Sequence, residues 1–183
     1  MRLRLRLLWL LLTAPWRSRM HALDEAVLRL RIHLNDIDVR VMTNDRILAF
    51  MDLGRVDLII RTGLLRPMMR NGWTPVVLFA AVRFRQPLRL FRTYEMHTRI
   101  LYWDERAFYI EQRFEREGRV VATGYVCATL RSGEGVVPAA TIIAATGQHV
   151  TRPEKPEIVS LLQAGEAGVQ QLQQTEAHRA PTR

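Results

Sequence analysis

A single cysteine, Cys127, stands in 183 residues, which excludes an internal disulfide framework and any zinc site built on several thiolates. It falls in a strand-like run with no histidine nearby in sequence, so it reads as core packing. Serine occurs only at positions 18, 132 and 160, never within G-x-S-x-G, and there is no H-E-x-x-H, P-loop or G-x-G-x-x-G. A nucleophile-elbow serine hydrolase, a zinc hydrolase of that type and a nucleotide phosphate loop are therefore all unsupported. The histidines at 21, 33, 97, 149 and 178 show no ligand spacing; no metal and no other cofactor is expected. Long apolar runs are missing too: Leu7 to Leu12 is six residues, against the roughly 20 needed to span a bilayer.

Lysine is equally scarce. Lys155 is the sole one, so the net charge of +9 rests on arginine. Residues 1–19 carry five Arg and no acid, residues 20–150 carry 18 Arg against 14 acids, and residues 151–183 carry four cations against four acids. More than half of the excess thus lies in the leader. Without an RNA-binding aromatic motif, helix-turn-helix pattern or zinc knuckle, nucleic acid is a disfavoured partner.

What is present centres on Asn35 to Gly63. This stretch opens as extended polar sequence carrying Asp36 and Asp38, then becomes the one long run of helical apolar period in the middle of the chain. Ile47, Met51, Gly54, Leu58 and Thr62 recur at helical spacing, with Leu48, Arg55 and Ile59 one position on, so a wide stripe should face a sheet. Thr43 or Asn44 can cap the start, Asp45 suits the positive end of the macrodipole, and Gly63 offers a left-handed stop. Gly54 costs roughly 1 kcal/mol against alanine at mid-helix. That cost implies a backbone lying close against the sheet, the alternative being a tolerated defect.

The basic, leucine-rich leader reads as a short amphipathic helix, packed on its own domain or lying on an anionic membrane surface with Trp9 and Trp16 near the headgroups. A signal peptide is disfavoured by the missing small-x-small site and by Pro15. Removing residues 1–19 is expected to leave the sheet and central helix complete. Glu25 to Leu34 alternates as a half-buried strand. Further strands are expected over Val76–Arg85, Phe91–Trp103, Ala107–Arg116 and Val120–Arg131, with connections short enough for antiparallel neighbours. Val136 to Thr146 suits a short closing helix ended by Gly147. From Thr151 the proline, glycine and Q-Q-L-Q-Q content predicts a loose or marginally helical tail. The organisation is thus a leader (1–19), one domain (20–150) and a tail (151–183). Its class is α+β, an antiparallel sheet with one covering helix and exposed edges that invite pairing in a dimer.

The strongest polar concentration is D-I-D before the central helix. On an extended backbone Asp36 and Asp38 point the same way, near helix amides able to bind a carbonyl oxygen that gains charge. A carboxylate base or nucleophile beside such amides equips a site for acyl hydrolysis. Capping and turn chemistry is the other reading of the same residues, Asp36 being the better placed of the two for it.

D-I-D-V-R-V-M-T-N, the long helix with M-D-L-G-R, the G-W-T-P-V-V connector and W-D-E-R-A-F-Y-I-E-Q-R-F resemble the hotdog-fold acyl-CoA thioesterases of the 4-hydroxybenzoyl-CoA thioesterase-like group, over about residues 24 to 146. The resemblance implies a five- or six-stranded antiparallel sheet wrapped around the central helix. It also implies a homodimer or dimer of dimers formed through sheet edges, with an acyl-CoA or acyl-carrier-protein thioester bound between subunits. By the same resemblance Asp38 is the general base or nucleophile. The family's H-M-N-N is M-T-N-D here: Asn44 matches, Met42 replaces the histidine and Asp45 the second asparagine. Amides near Asn44 would hold the oxyanion, with Met42, Thr43 and Asp45 around the substrate. Arg83, Arg85 and Arg92 are candidates for the CoA phosphates, or simply a solvated face. A non-catalytic hotdog scaffold binding acyl thioesters or a protein partner is the competing class. The expected location is the cytoplasm, with membrane association through residues 1–19.

Overall fold

Thr43, extended at φ −74° and ψ 156°, hands the chain into α2, Asn44–Arg61; Thr62 ends the helix and Gly63 turns away at φ 83°. The computed structural model describes residues 2–38 and 40–179. Ile47, Met51, Gly54, Leu58 and Thr62 are all buried, as the spacing predicts. A Cβ on Gly54 would stand 2.6 Å from both Met96 Cε and Thr98 Oγ1 and 2.8 Å from Gln112 Nε2. The glycine is what lets α2 lie this close to the sheet.

That sheet is built from β1 (Ala26–Arg31), then, beyond two short strands near α2, β4 (Thr74–Phe84), β5 (Thr93–Trp103), β6 (Phe108–Arg116) and β7 (Arg119–Ser132). The short strands are β2 (Ile37–Asp38) and β3 (Val41–Met42), and β8 (Gly135–Val136) pairs with β7. The order is β1-β5-β6-β7-β4, every pairing antiparallel, so β1 and β4 are the edges. Glu117 and Gly118, at φ 52° and 71°, make the two-residue turn between β6 and β7; positive φ at both positions matches the right-handed twist of the strands. α3 (Leu65–Asn71) links α2 to β4, and α4 (Ala139–Ala145) follows β8.

The second apolar row on α2 differs from expectation. Leu48 is 44 % exposed, whereas Phe50, Leu53, Asp57 and Ile60 on the opposite flank are buried. The cause is α1 (Arg2–Thr13), which covers that flank: Leu10 joins Phe50 and Leu53 in the core. α2 is therefore held between the sheet and α1. The leader is anchored by ionic contacts as well. Arg6 Nη2 donates to Asp36 Oδ2 at 2.7 Å and to the Arg31 carbonyl at 2.9 Å, and Arg17 pairs with the fully buried Asp57. Of the two arrangements expected of the leader, packing on its own domain is the one the structure shows.

The tail also differs. Glu157–Arg179 forms α5, and its first two turns lie on the outer face of the sheet, away from α2. Val159 and Leu162 are buried there against Ala107, Tyr109 and Cys127. Gln163 Nε2 donates to Asp104 Oδ2 and Tyr109 Oη, and Gly165 lies by Phe79 of β4. Few aliphatics suffice because two of them are fully sealed between strands and helix.

Candidate active site

The loop before α2 does not run as one extended strand. Leu34–Asp36 is a 3-10 turn, and only Ile37 and Asp38 are extended, paired with Met42 and Val41. Asp36 is 3 % exposed and occupied: its Oδ2 accepts from the His33 amide at 2.9 Å as well as from Arg6. The two aspartates are thus not alternate residues of a single strand, and Asp36 takes the turn role. Of Asp38 the backbone is described: it sits across from Val41, two residues before the Thr43 cap. Its side chain lies outside the described residues.

At the start of α2, Thr43 makes no side-chain capping bond. Asn44 and Asp45 are exposed. The Thr43 hydroxyl, together with the Arg46 amide, holds the Asp45 carboxyl below its usual range. Amides of the first turn have no carbonyl within the helix to bond, so this end carries partial positive charge. Met42 is 4 % exposed within the core, its amide donating to the Leu88 carbonyl at 2.9 Å. A methionine suits this site because an imidazole buried there would need polar partners. Arg83 pairs with Thr123 and projects from the outer face of β4, since Val82 beside it packs toward Gly124 and α2. Arg85 is exposed just past the end of β4, its amide bonded to the Val121 carbonyl.

A second feature draws part of its lining, Arg55, Leu58, Ile59 and Thr62, from the helical stripe singled out in the sequence. Between the second half of α2 and the inner face of the sheet lies an apolar cavity of about 250 Å³, walled by Val56, Ile59, Val76, Ile100, Ile110 and Ile142 among others. Its polar rim is Asp52 and Arg55. Arg55 pairs with Asp52 three residues earlier and donates to Gln112 Oε1 at 2.6 Å. Gln112, wholly buried, donates in turn to the Met51 carbonyl at 2.8 Å and Thr98 Oγ1 at 3.1 Å. Burial lowers the Arg55 pKa, and Asp52 partly offsets it. The i, i+3 spacing of an acid and an arginine was the one local signal for this rim. Along the helix the rim stands roughly 12 Å from Asn44, with Ile47, Phe50 and Met51 filling the core between. Cys127 is buried on the outer face, its thiol pushed up to about 12, chiefly by burial; it stays protonated and unreactive.

Residues 32–152 match the family described as the thioesterase-like superfamily. The protein named THEM6 from Xenopus laevis is 34 % identical over 135 residues, covering 72 % of this chain and 63 % of that relative. THEM6 from Drosophila melanogaster is 30 % identical over 140 residues, covering 75 % and 70 %. The match thus spans less than two thirds of the Xenopus protein's length. Among solved structures, hypothetical protein TT1821 from Thermus thermophilus superposes with a TM-score of 0.61 at 25 % identity, over 70 % of this chain and all of that one. BH1999, titled a gentisyl-coenzyme A thioesterase, gives 0.60 at 19 % identity, over 65 % and 99 %. The curled antiparallel sheet around α2 is the hotdog fold these neighbours share, and the chain belongs to the thioesterase-like superfamily.

Proposed function

We propose that this protein hydrolyses acyl thioesters, with acyl-CoA or an acyl-carrier-protein thioester as substrate and Asp38 as general base or nucleophile. The observation that carries the reading is the backbone of Asp38, paired with Val41 directly beside the open end of α2. A thioester carbonyl held by amides near Asn44 would gain negative charge where the helix end favours it, within reach of a carboxylate on the adjoining strand. Family membership and the thioesterase named among the fold neighbours support the reaction class. The free edge of β4, eleven residues long with Val77, Leu78 and Phe84 exposed, supports a homodimer formed by strand pairing. Arg83 and Arg85 on that edge would then meet the CoA phosphates from the second chain.

The apolar cavity favours a second assignment of the carboxylate. Asp52 stands on the rim of an apolar space under α2 suited to an acyl chain, while the core separates that space from the helix start. Hydrolysis of a panel of acyl-CoAs from acetyl to palmitoyl, by wild type, Asp38→Asn and Asp52→Asn, decides between them. Under the first assignment Asp38→Asn lowers kcat/KM by about 100-fold or more with its melting point kept, and Asp52→Asn changes it little. The reverse pattern moves the base to Asp52. No hydrolysis by wild type would leave a scaffold that binds thioesters without turning them over.

A further inference from the structure

α1 has two apolar faces, one packed on the domain and one largely open to solvent. Leu10 is sealed in the core and Leu7 packs against it. On the other side Leu5, Leu8, Trp9 and Leu12 recur at i, i+3, i+4 and i+7 and are 58, 51, 60 and 62 % exposed. Trp16, in the 3-10 turn that continues the helix, is 83 % exposed. A run of large apolar side chains open to solvent along one helix marks an interaction surface.

The cations of the same segment are sorted between the two faces. Arg6 and Arg17 pair with Asp36 and Asp57, Arg17 lying also over the Trp9 ring at 5.7 Å, whereas Arg4 and Arg19 are exposed. Residues 1–19 contain no acid at all. This chemistry selects the occupant. A second copy of the patch would bring the same positive charge to the contact, and like charges oppose it. A nucleic acid would engage the arginines and leave the leucines and tryptophans in water. An anionic lipid surface satisfies both, taking leucine into the boundary of headgroups and acyl chains, tryptophan at headgroup level and arginine against phosphate.

We infer that the outward face of α1 seats the protein on anionic bilayers as an in-plane amphipathic helix. Its inward face stays docked on α2, so residues 5–16 serve core and membrane at once. Because α1 grips Asp36, the loop bearing Asp38 would be held next to the lipid. The inference stands on the exposed face alone and does not depend on thioester hydrolysis.

The test is co-sedimentation of the full chain with vesicles of phosphatidylcholine alone and of phosphatidylcholine with phosphatidylglycerol, followed also by tryptophan emission. Wild type is expected to partition onto the anionic vesicles at least tenfold more than onto the neutral ones, with a blue shift. Leu8→Glu/Leu12→Glu, altering only exposed positions, should lose at least tenfold of that partitioning with an unchanged melting point. Absence of wild-type binding to anionic vesicles, or binding indifferent to the double substitution, overturns the inference. So does a shift of the double variant to a smaller oligomer in sedimentation velocity, which would make the face a contact between copies. Retained lipid binding by the variant in which Arg4 and Arg19 become Gln would show that the charge argument fails.

Discussion

Arg17→Met should be among the most damaging single substitutions outside the hydrophobic core. Asp57 is fully buried on α2, Arg17 of the leader pairs with its Oδ1, and Arg61 Nη1 is 3.8 Å from its Oδ2. The pairing is incomplete, since Asp57 Oδ2 and Arg17 Nε are buried without hydrogen bonds. Burial accordingly raises the Asp57 pKa despite both arginines. Removing one partner of a buried pair leaves an uncompensated charge, at a cost of about 3–5 kcal/mol. In a chain of this size that lowers the melting point by roughly 6–20 °C. Asp57→Asn in the same background removes the stranded charge, so Arg17→Met/Asp57→Asn should be more stable than Arg17→Met, a coupling of about 1 kcal/mol or more. The pH dependence follows from the raised pKa. A folded state that takes up the proton before the unfolded one gains stability as pH falls from the folded value toward the ordinary 3.8. The deficit of Arg17→Met should therefore shrink on acidification. Urea unfolding followed by circular dichroism measures wild type, Arg17→Met, Asp57→Asn and the double variant. An Arg17→Met curve within about 0.5 kcal/mol of wild type, or a double variant no better than the single, would refute the reasoning.

Gly54→Ala should destabilise despite the roughly 1 kcal/mol gained in helix propensity. The new methyl meets Thr98 and Gln112, which are hydrogen-bonded to each other, as well as Met96, and overpacking costs about 1–3 kcal/mol; a raised melting point would disprove this. Glu25 and Asp104 contribute to the loss of stability at acid pH. Burial acts to raise both, but His97 and Arg113 outweigh it at Glu25, and the amides of Arg106 and Ala107 outweigh it at Asp104, so both pKa values are lowered. Their stabilisation is complete above the ordinary values of 4.5 and 3.8 and is lost as pH falls through the lowered ones. Glu25→Gln and Asp104→Asn should each flatten the fall in melting point below about pH 5, and an unchanged slope in both would count against it.

The central helix was readable because its signals are local: an extended Thr43, buried residues at helical spacing and a left-handed Gly63. Gly54 even disclosed the close sheet. Three features escaped because distant residues decide them. The second buried flank of α2 depends on Leu10 and Arg17 from the leader, which cover Phe50 and Leu53 and pair with Asp57. α5 contains Gly165, Gly168 and a glutamine run that lower local helix preference, and forms where Val159 and Leu162 dock on strands 30 to 50 residues earlier. The cavity draws its walls from residues 52 to 142 across helices and strands, a grouping that no spacing along the chain encodes.

α5 also restricts how these sheets can assemble. The face of the sheet opposite α2 is the plane on which one dimer would stack upon another. Here Val159, Leu162 and the Gln163–Asp104–Tyr109 hydrogen bonds already occupy one end of that plane. Glu25, His97, Glu111 and Arg113 form an ionic mat over the other. Back-to-back stacking would have to peel off a docked helix and dehydrate that mat together. The edge of β4 meets neither obstacle, so a dimer of the kind proposed would form sideways, as a continuous sheet of two chains, more readily than back to back.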